Sequence, residues 1–153
     1  MITRRRILEV IGAVVPLYIA GRQGAYAQQK SDFPDGYDAV EAAPNSHKLI
    51  FENSLVRVLE VTIPPPGATE PMHHHHWPSF FLNWDTGGST PHVHYLRPDD
   101  SVRDEPSINN PVHPGRWKIQ WMKPEPMHAI QVVDRPETPP NAPPLLRIEI
   151  KCG

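Results

Sequence analysis

The chain has 153 residues, enough for one domain, with 20 prolines, 9 glycines and a formal net charge of −2. Prolines at this density exclude a helical bundle and punctuate short strands and turns. No basic block occurs beyond the extreme N-terminus, which argues against a nucleic-acid partner.

The N-terminus reads as an address. Arg4, Arg5 and Arg6 precede an apolar stretch over residues 10–20, broken by Gly12 and Pro16. That stretch falls short of the roughly 20 residues of a stable membrane span. Ala25-Tyr26-Ala27 supplies a small-x-small cleavage pattern, so residues 1–27 are expected to be an export signal, with Gln28 as the mature start. The order Thr3-Arg4-Arg5-Arg6-Ile7-Leu8 resembles a twin-arginine signal. The expected location is periplasmic or secreted. Loss of Arg4, Arg5, Arg6, Arg22 and Glu9 moves the formal charge from −2 to −5. Cys152 is the only cysteine, so no internal disulfide can form.

Residues 28–46 are polar and rich in turn formers, and read as a loose lead-in arm. Strands are expected at 47–53, 54–63, 72–77, 79–84, 89–97, 116–123, 127–134 and 145–151, with 101–116 as a polar connection. In 54–63, Leu55, Arg57, Leu59, Val61 and Ile63 alternate with Val56, Val58, Glu60 and Thr62. Short strands, frequent turn signals and no convincing helix after the signal give an all-β class, a sandwich or barrel over residues 47–151.

In the middle of the chain stands Met72-His73-His74-His75-His76-Trp77. On a strand, side chains alternate between faces. His73 and His75 therefore share one face, and His74 and His76 the other. Two imidazoles from His73 and His75 can reach one metal ion, and a third ligand must come from another strand. His128, entering a late strand behind Pro124 and Pro126, is the candidate.

Gly67, five residues, His73, one residue and His75 match the first half of the cupin motif G-x5-H-x-H. The segment Pro124-Glu125-Pro126-Met127-His128 stands where the second motif carries its histidine, with Pro126 at a position usually held by Gly. Residues 47–151 thus resemble a small single-domain cupin. The resemblance implies a jelly-roll β-barrel with little helix, and one divalent transition metal on His73, His75 and His128. One departure stands out. The motif's glutamate would fall at position 79 or 80, and Ser79 and Phe80 occupy them.

A three-imidazole site leaves coordination positions open and suits Zn, Fe, Ni, Cu or Mn rather than Mg or Ca. His74 and His76 are secondary ligand candidates, expected outward or at the barrel mouth. Trp77 and Phe81 are candidate pocket walls. His92 and His94 read as one face of a strand. Glu60 and Glu125 are the carboxylates to consider as a base. Arg57 and Arg147 are either surface ion pairs or binders of a substrate carboxylate. The function expected is that of an exported metal-binding protein acting on a small organic molecule. Oxygenase or isomerase chemistry and a homodimer are left open, and the alternative is a non-catalytic periplasmic module for a metal or small ligand.

Overall fold

The computed structural model describes residues 32–85, 91–105, 114–134 and 141–151. Residues 1–27, where an export signal is expected, and Cys152 lie outside the described residues. Among the described residues, no helix is long and apolar enough to cross a membrane.

Among the described residues, nine strands follow one short helix. Helix α1 is Ala39–Ala42; the strands are β1 (His47–Glu52), β2 (Val56–Val61), β3 (His73–His75), β4 (Ser79–Trp84), β5 (His92–Leu96), β6 (Val102–Glu105), β7 (Trp117–Met122), β8 (Glu125–Asp134) and β9 (Leu145–Ile150). Two of these elements differ from the sequence reading. β6 falls inside what reads as a polar connection, and α1 inside what reads as a loose arm. β6 is recruited by its partner, pairing along β5 from Val93↔Glu105 to Leu96↔Val102. Helix α1 forms because Asp38 caps it, its side chain accepting from the Val40 N–H at 3.0 Å.

One sheet has the order β1-β2-β9-β4-β7, the other β3-β8-β5-β6. Every pairing within the two sheets is antiparallel. Strands β2 to β9 thus form two four-stranded layers, and β1 is added at an edge. This is a jelly roll, an all-β fold of two Greek keys. The Pro-rich segment after β2 turns at Gly67, whose φ of +81° favours glycine. Its N–H donates to the Val132 carbonyl at 2.8 Å, tying that turn to β8.

The five-stranded sheet has two unlike faces. Val56, Val58, Leu82, Leu146, Ile148 and Ile150 form a buried apolar cluster, with Phe80 and Trp117 packed against it. The alternate positions carry Arg57, Ser79, Phe81, Arg147 and Glu149, and face the other sheet. Four of these five are buried despite being polar. The interior of the jelly roll is therefore a chamber in which apolar walls surround a buried polar cluster, and that cluster holds the site.

Candidate metal centre

β3 and β8 build the core of the site. His73 pairs with His128, and His75 with Glu125. Two residues of spacing on β3 thus face three on β8. In a regular strand, residues three apart would point to opposite faces. The register shift in this pair acts as a bulge, which bends a strand and re-aims its side chains. Both His128 and Glu125 consequently line the cavity that His73 and His75 enter. Pro126 has no N–H to donate to the ladder and so suits the irregular position.

The three imidazoles are oriented alike. His73 Nδ1 lies 2.8 Å from the Pro71 carbonyl, His128 Nδ1 2.8 Å from the Pro126 carbonyl, and His75 Nδ1 2.8 Å from Glu149 Oε1. Each of these partners is an acceptor, so each ring carries its proton on Nδ1. Each Nε2 is left with a free lone pair. The His73 Nε2 is buried without a hydrogen-bond partner. A buried acceptor of this kind is costly unless something meets it, and a cation would.

His47, the first residue of β1, joins the cluster. It pairs with Val61 and faces inward. Its ring centroid stands 4.6 Å from that of His73 and 4.9 Å from that of His75. Among the described residues, three overlapping trios have their ligand atoms within 4.8 Å of one another: His47, His73 and His75; Glu70, His73 and His128; His75, Glu125 and His128. Ligands at about 2.0–2.2 Å from one ion are at most about 4.4 Å apart. Each trio fits one ion after a small contraction. His73, His75 and His128 each belong to two of the three trios, and no trio holds all three.

Burial sets the charge states. It lowers the pKa of His47 to about 2 and of His73 to about 4, with the other imidazoles and Arg147 adding to the effect. His75 is pushed well below the ordinary value by burial and then by Arg147, and His128 is lowered by burial. Neutral imidazoles are the form that binds metal. Burial works against the charge of Glu125, yet Arg147 and His128 hold its pKa below the usual range. Glu125 Oε2 lies 2.6 Å from Arg147 Nη1. A carboxylate missing at position 79 or 80 is thus present from another strand. Glu70 differs: burial pushes its pKa up to about 7, and its Oε1 stands 3.7 Å from His73 Nε2.

The cluster opens on a cavity of about 210 Å³. Phe81 lines it, as do Tyr95, Met122, Ile130 and Arg147. Trp77 does not; it lies under the Arg57 guanidinium at 4.8 Å, as a cation–π partner. Glu60 is likewise absent from the lining. Arg57 and Arg147 are not surface pairs, being 6% and 4% exposed. Arg57 Nε donates to Glu149 Oε2 at 2.5 Å, and its Nη1 and Nη2 donate to the two Asp38 oxygens at 2.8 and 2.9 Å. The His92 and His94 rings meet each other, at 5.5 Å between centroids, and lie outside the cavity lining.

His74 and His76 point away from the cavity. His74 is nevertheless buried, because residues 33–38 cover it. Its Nε2 lies 2.9 Å from the Pro34 carbonyl, and the Phe33 ring stands 5.4 Å from His74 and 5.2 Å from His76. The Asp38↔His74 bridge and a His74 N–H bond to the Tyr37 carbonyl at 2.8 Å complete the contact. Residues 33–38 of the arm are docked rather than loose.

His47, Glu70 and Glu149 are the residues that sequence reasoning misses. Glu149 and Arg147 alternate with Leu146, Ile148 and Ile150 along β9, and that alternation is the available signal.

No family model matches the chain, and no curated protein matches it. Among solved structures it is similar to an RmlC-like cupin protein from Desulfovibrio desulfuricans, at 12% identity and a TM-score of 0.35, over 84% of this chain and 94% of that one.

Proposed function

We propose that this chain is an exported, cupin-type metalloprotein that holds one divalent transition metal on His73, His75 and His128, with Glu125 beside them, and acts on a small organic molecule in the adjoining cavity. The observation that carries this reading is the shared orientation of the three imidazoles. Each is tied back at Nδ1, and the His73 Nε2 is buried with no partner. When bound, such an ion supplies Lewis acidity or activates water or dioxygen.

The chain's own residues have distinct parts in this reading. Glu70, with a pKa near 7, can take up or release a proton at the cavity wall around neutral pH. Tyr95, its pKa raised to about 12 by burial, stays a phenol and can donate a hydrogen bond. Arg147 gives the cavity a cation beside Glu125, which suits a molecule bearing a carboxylate. Phe81, Met122 and Ile130 supply apolar walls to the same cavity.

A second reading, a non-catalytic metal holder, has one observation in its favour. If His47 also ligates, four imidazoles and Glu125 surround the ion and little room remains for substrate. Closed shells mark structural sites, and open ones catalytic sites.

The deciding experiment is elemental analysis of protein purified from its own host, followed by turnover assays of the loaded protein on small carboxylates and phenols. One equivalent of metal with turnover supports the enzyme, and metal without turnover supports the holder. Absence of metal, with no uptake on titration, removes both. Export is tested separately: Arg4→Lys with Arg5→Lys should block it if the twin-arginine route is used, and unchanged export points to the general secretory route.

A further inference from the structure

Helix α1 and the segment before it lie behind β3, on the side opposite the cavity. A continuous chain of hydrogen bonds nevertheless links them to the metal cluster. His75 donates from Nδ1 to Glu149 Oε1 at 2.8 Å. The other oxygen of Glu149 accepts from Arg57 Nε at 2.5 Å. The remaining edge of the Arg57 guanidinium is held by both oxygens of Asp38. Glu149 is fully buried and Arg57 nearly so, so water cannot substitute for either of them, whereas Asp38 closes the chain at its more exposed end. Asp38 also caps α1 and forms the bridge with His74. The residue that closes this chain is thus the same one that docks the segment.

We propose that Asp38, Arg57 and Glu149 are positioning residues for His75, and that docking of residues 32–46 and metal affinity are therefore coupled. This rests on the metal reading above. The physical reason is the two-sided nature of the imidazole. A proton fixed on Nδ1 leaves Nε2 as a ligand; a proton on Nε2 blocks it. Arg57 Nε donates to Oε2 of Glu149, and Arg147 Nε stands 3.6 Å from the Oε1 that meets His75, so two guanidiniums favour the carboxylate form that accepts. Arg57, bonded at both edges, cannot turn away from Glu149 without losing Asp38. The other two histidines are held by the carbonyls of Pro71 and Pro126, which belong to their own strand ends. His75 alone among the three depends on side chains from distant parts of the chain. Coupling of this kind is reciprocal: if the docked segment raises metal affinity, metal must tighten the segment by the same factor.

The test uses Asp38→Asn and Glu149→Gln in the full mature protein with Zn²⁺ as the probe. Asn still caps a helix but gives Arg57 only one acceptor oxygen. Gln keeps the shape of Glu149 but brings an N–H₂ donor to His75 or Arg57. Zn²⁺ affinity, measured against a competing chelator, should fall roughly 10- to 100-fold in each variant. Nitrogen NMR of the metal-free wild type should show His75 as the Nδ1–H tautomer, with the Nε2–H form appearing in Glu149→Gln. Amide exchange at Val40, Ala42 and Ala43 should slow when Zn²⁺ is added to the wild type, and slow less in Asp38→Asn. Wild-type affinity in both variants overturns the proposal, as does amide exchange in α1 that ignores Zn²⁺. Failure of the wild type to bind Zn²⁺ overturns the metal reading and this proposal together. Binding that the variants leave unchanged overturns this proposal alone. Should Glu149→Gln fail to fold, the surface-side Asp38→Asn variant carries the test.

Discussion

His73 and His75 differ from His74 and His76 only by one step along the same three-residue strand and its extension. The odd pair enters a chamber with two more imidazoles and two carboxylates. The even pair faces Phe33 and Pro34, and serves as a seat for the N-terminal segment. The same side chain is a candidate ligand on one side of β3 and a docking surface on the other. What separates them is partners. An inward Nδ1 is tied to an acceptor and its Nε2 faces other ligand atoms. The Nε2 of His74 is held by a backbone carbonyl, and its Nδ1, buried without a partner, belongs to none of the ligand trios.

The sharpest way to break this contrast is to remove one member of each set. His73→Ala, His75→Ala and His128→Ala should each weaken metal binding by at least about 100-fold, since changes behind the ligands alone can cost that much. His74→Ala should bind metal within a few-fold of wild type. Titration with Zn²⁺ or Ni²⁺ by calorimetry reads both. Retained affinity in the odd variants with loss in His74→Ala would reverse the assignment of faces.

Acid should expose the inner set. His47 and His73 have folded pKa values of about 2 and about 4, and both are near 6.5 when unfolded. Below 6.5 the unfolded chain therefore binds more protons than the folded one. Stability is lost as pH falls from about 6.5 toward 4, and further for His47. His75 and His128 act in the same sense. Glu70 and Glu149, both raised by burial, act in the opposite sense, losing stability as pH rises from about 4.5. Four imidazoles against two carboxyls leave a net loss on acidification. A tenfold difference in proton affinity between the folded and unfolded chain corresponds to about 1.4 kcal/mol per group. Urea unfolding of metal-free protein should show a lower midpoint at pH 5 than at pH 7. A flat profile would mean the inner imidazoles are not held neutral by the fold.

The outer set should register chiefly in stability, with no more than a few-fold change in metal affinity passed on through the docked segment. His74→Ala deletes the bond to the Pro34 carbonyl, and should cost about 1 kcal/mol. Phe33→Ala removes the ring from both His74 and His76. The aromatic contacts themselves contribute about 0.5–1.5 kcal/mol, so a similar or slightly larger loss is expected. Thermal unfolding should detect each change. Unchanged stability in both variants would show that the segment is not seated on the histidines.

Much of this contrast is legible in the residues themselves. Strand alternation alone separates His73 and His75 from His74 and His76. The Gly67 spacing and the late His128 suggest a shared site, and the strand pairing brings His128 opposite His73. Alternation groups Arg57, Leu59 and Val61 on one face of β2, and they lie on the chamber side. The outward histidines are expected near solvent. That expectation fails for His74, because the segment covering it looks structureless when read alone. Its one helix is four residues long and depends on the Asp38 cap.

The sequence alone determined the class of the protein. Prolines and glycines at short intervals forbid long helices, and alternating apolar runs between them have to pair as strands. It also determined which histidines share a side of β3, because that depends only on the two-residue period of an extended backbone. Only the tertiary structure decided the rest of the site. Glu125 joins His128 on one face through a bulge, which breaks the two-residue period and so defeats any reading that relies on it. His47 reaches His73 because β1 folds back on β2. Glu149 reaches His75 across 74 residues because β9 returns between β2 and β4. Contacts between distant strands follow from the order of strands in the sheets, and no local pattern encodes that order.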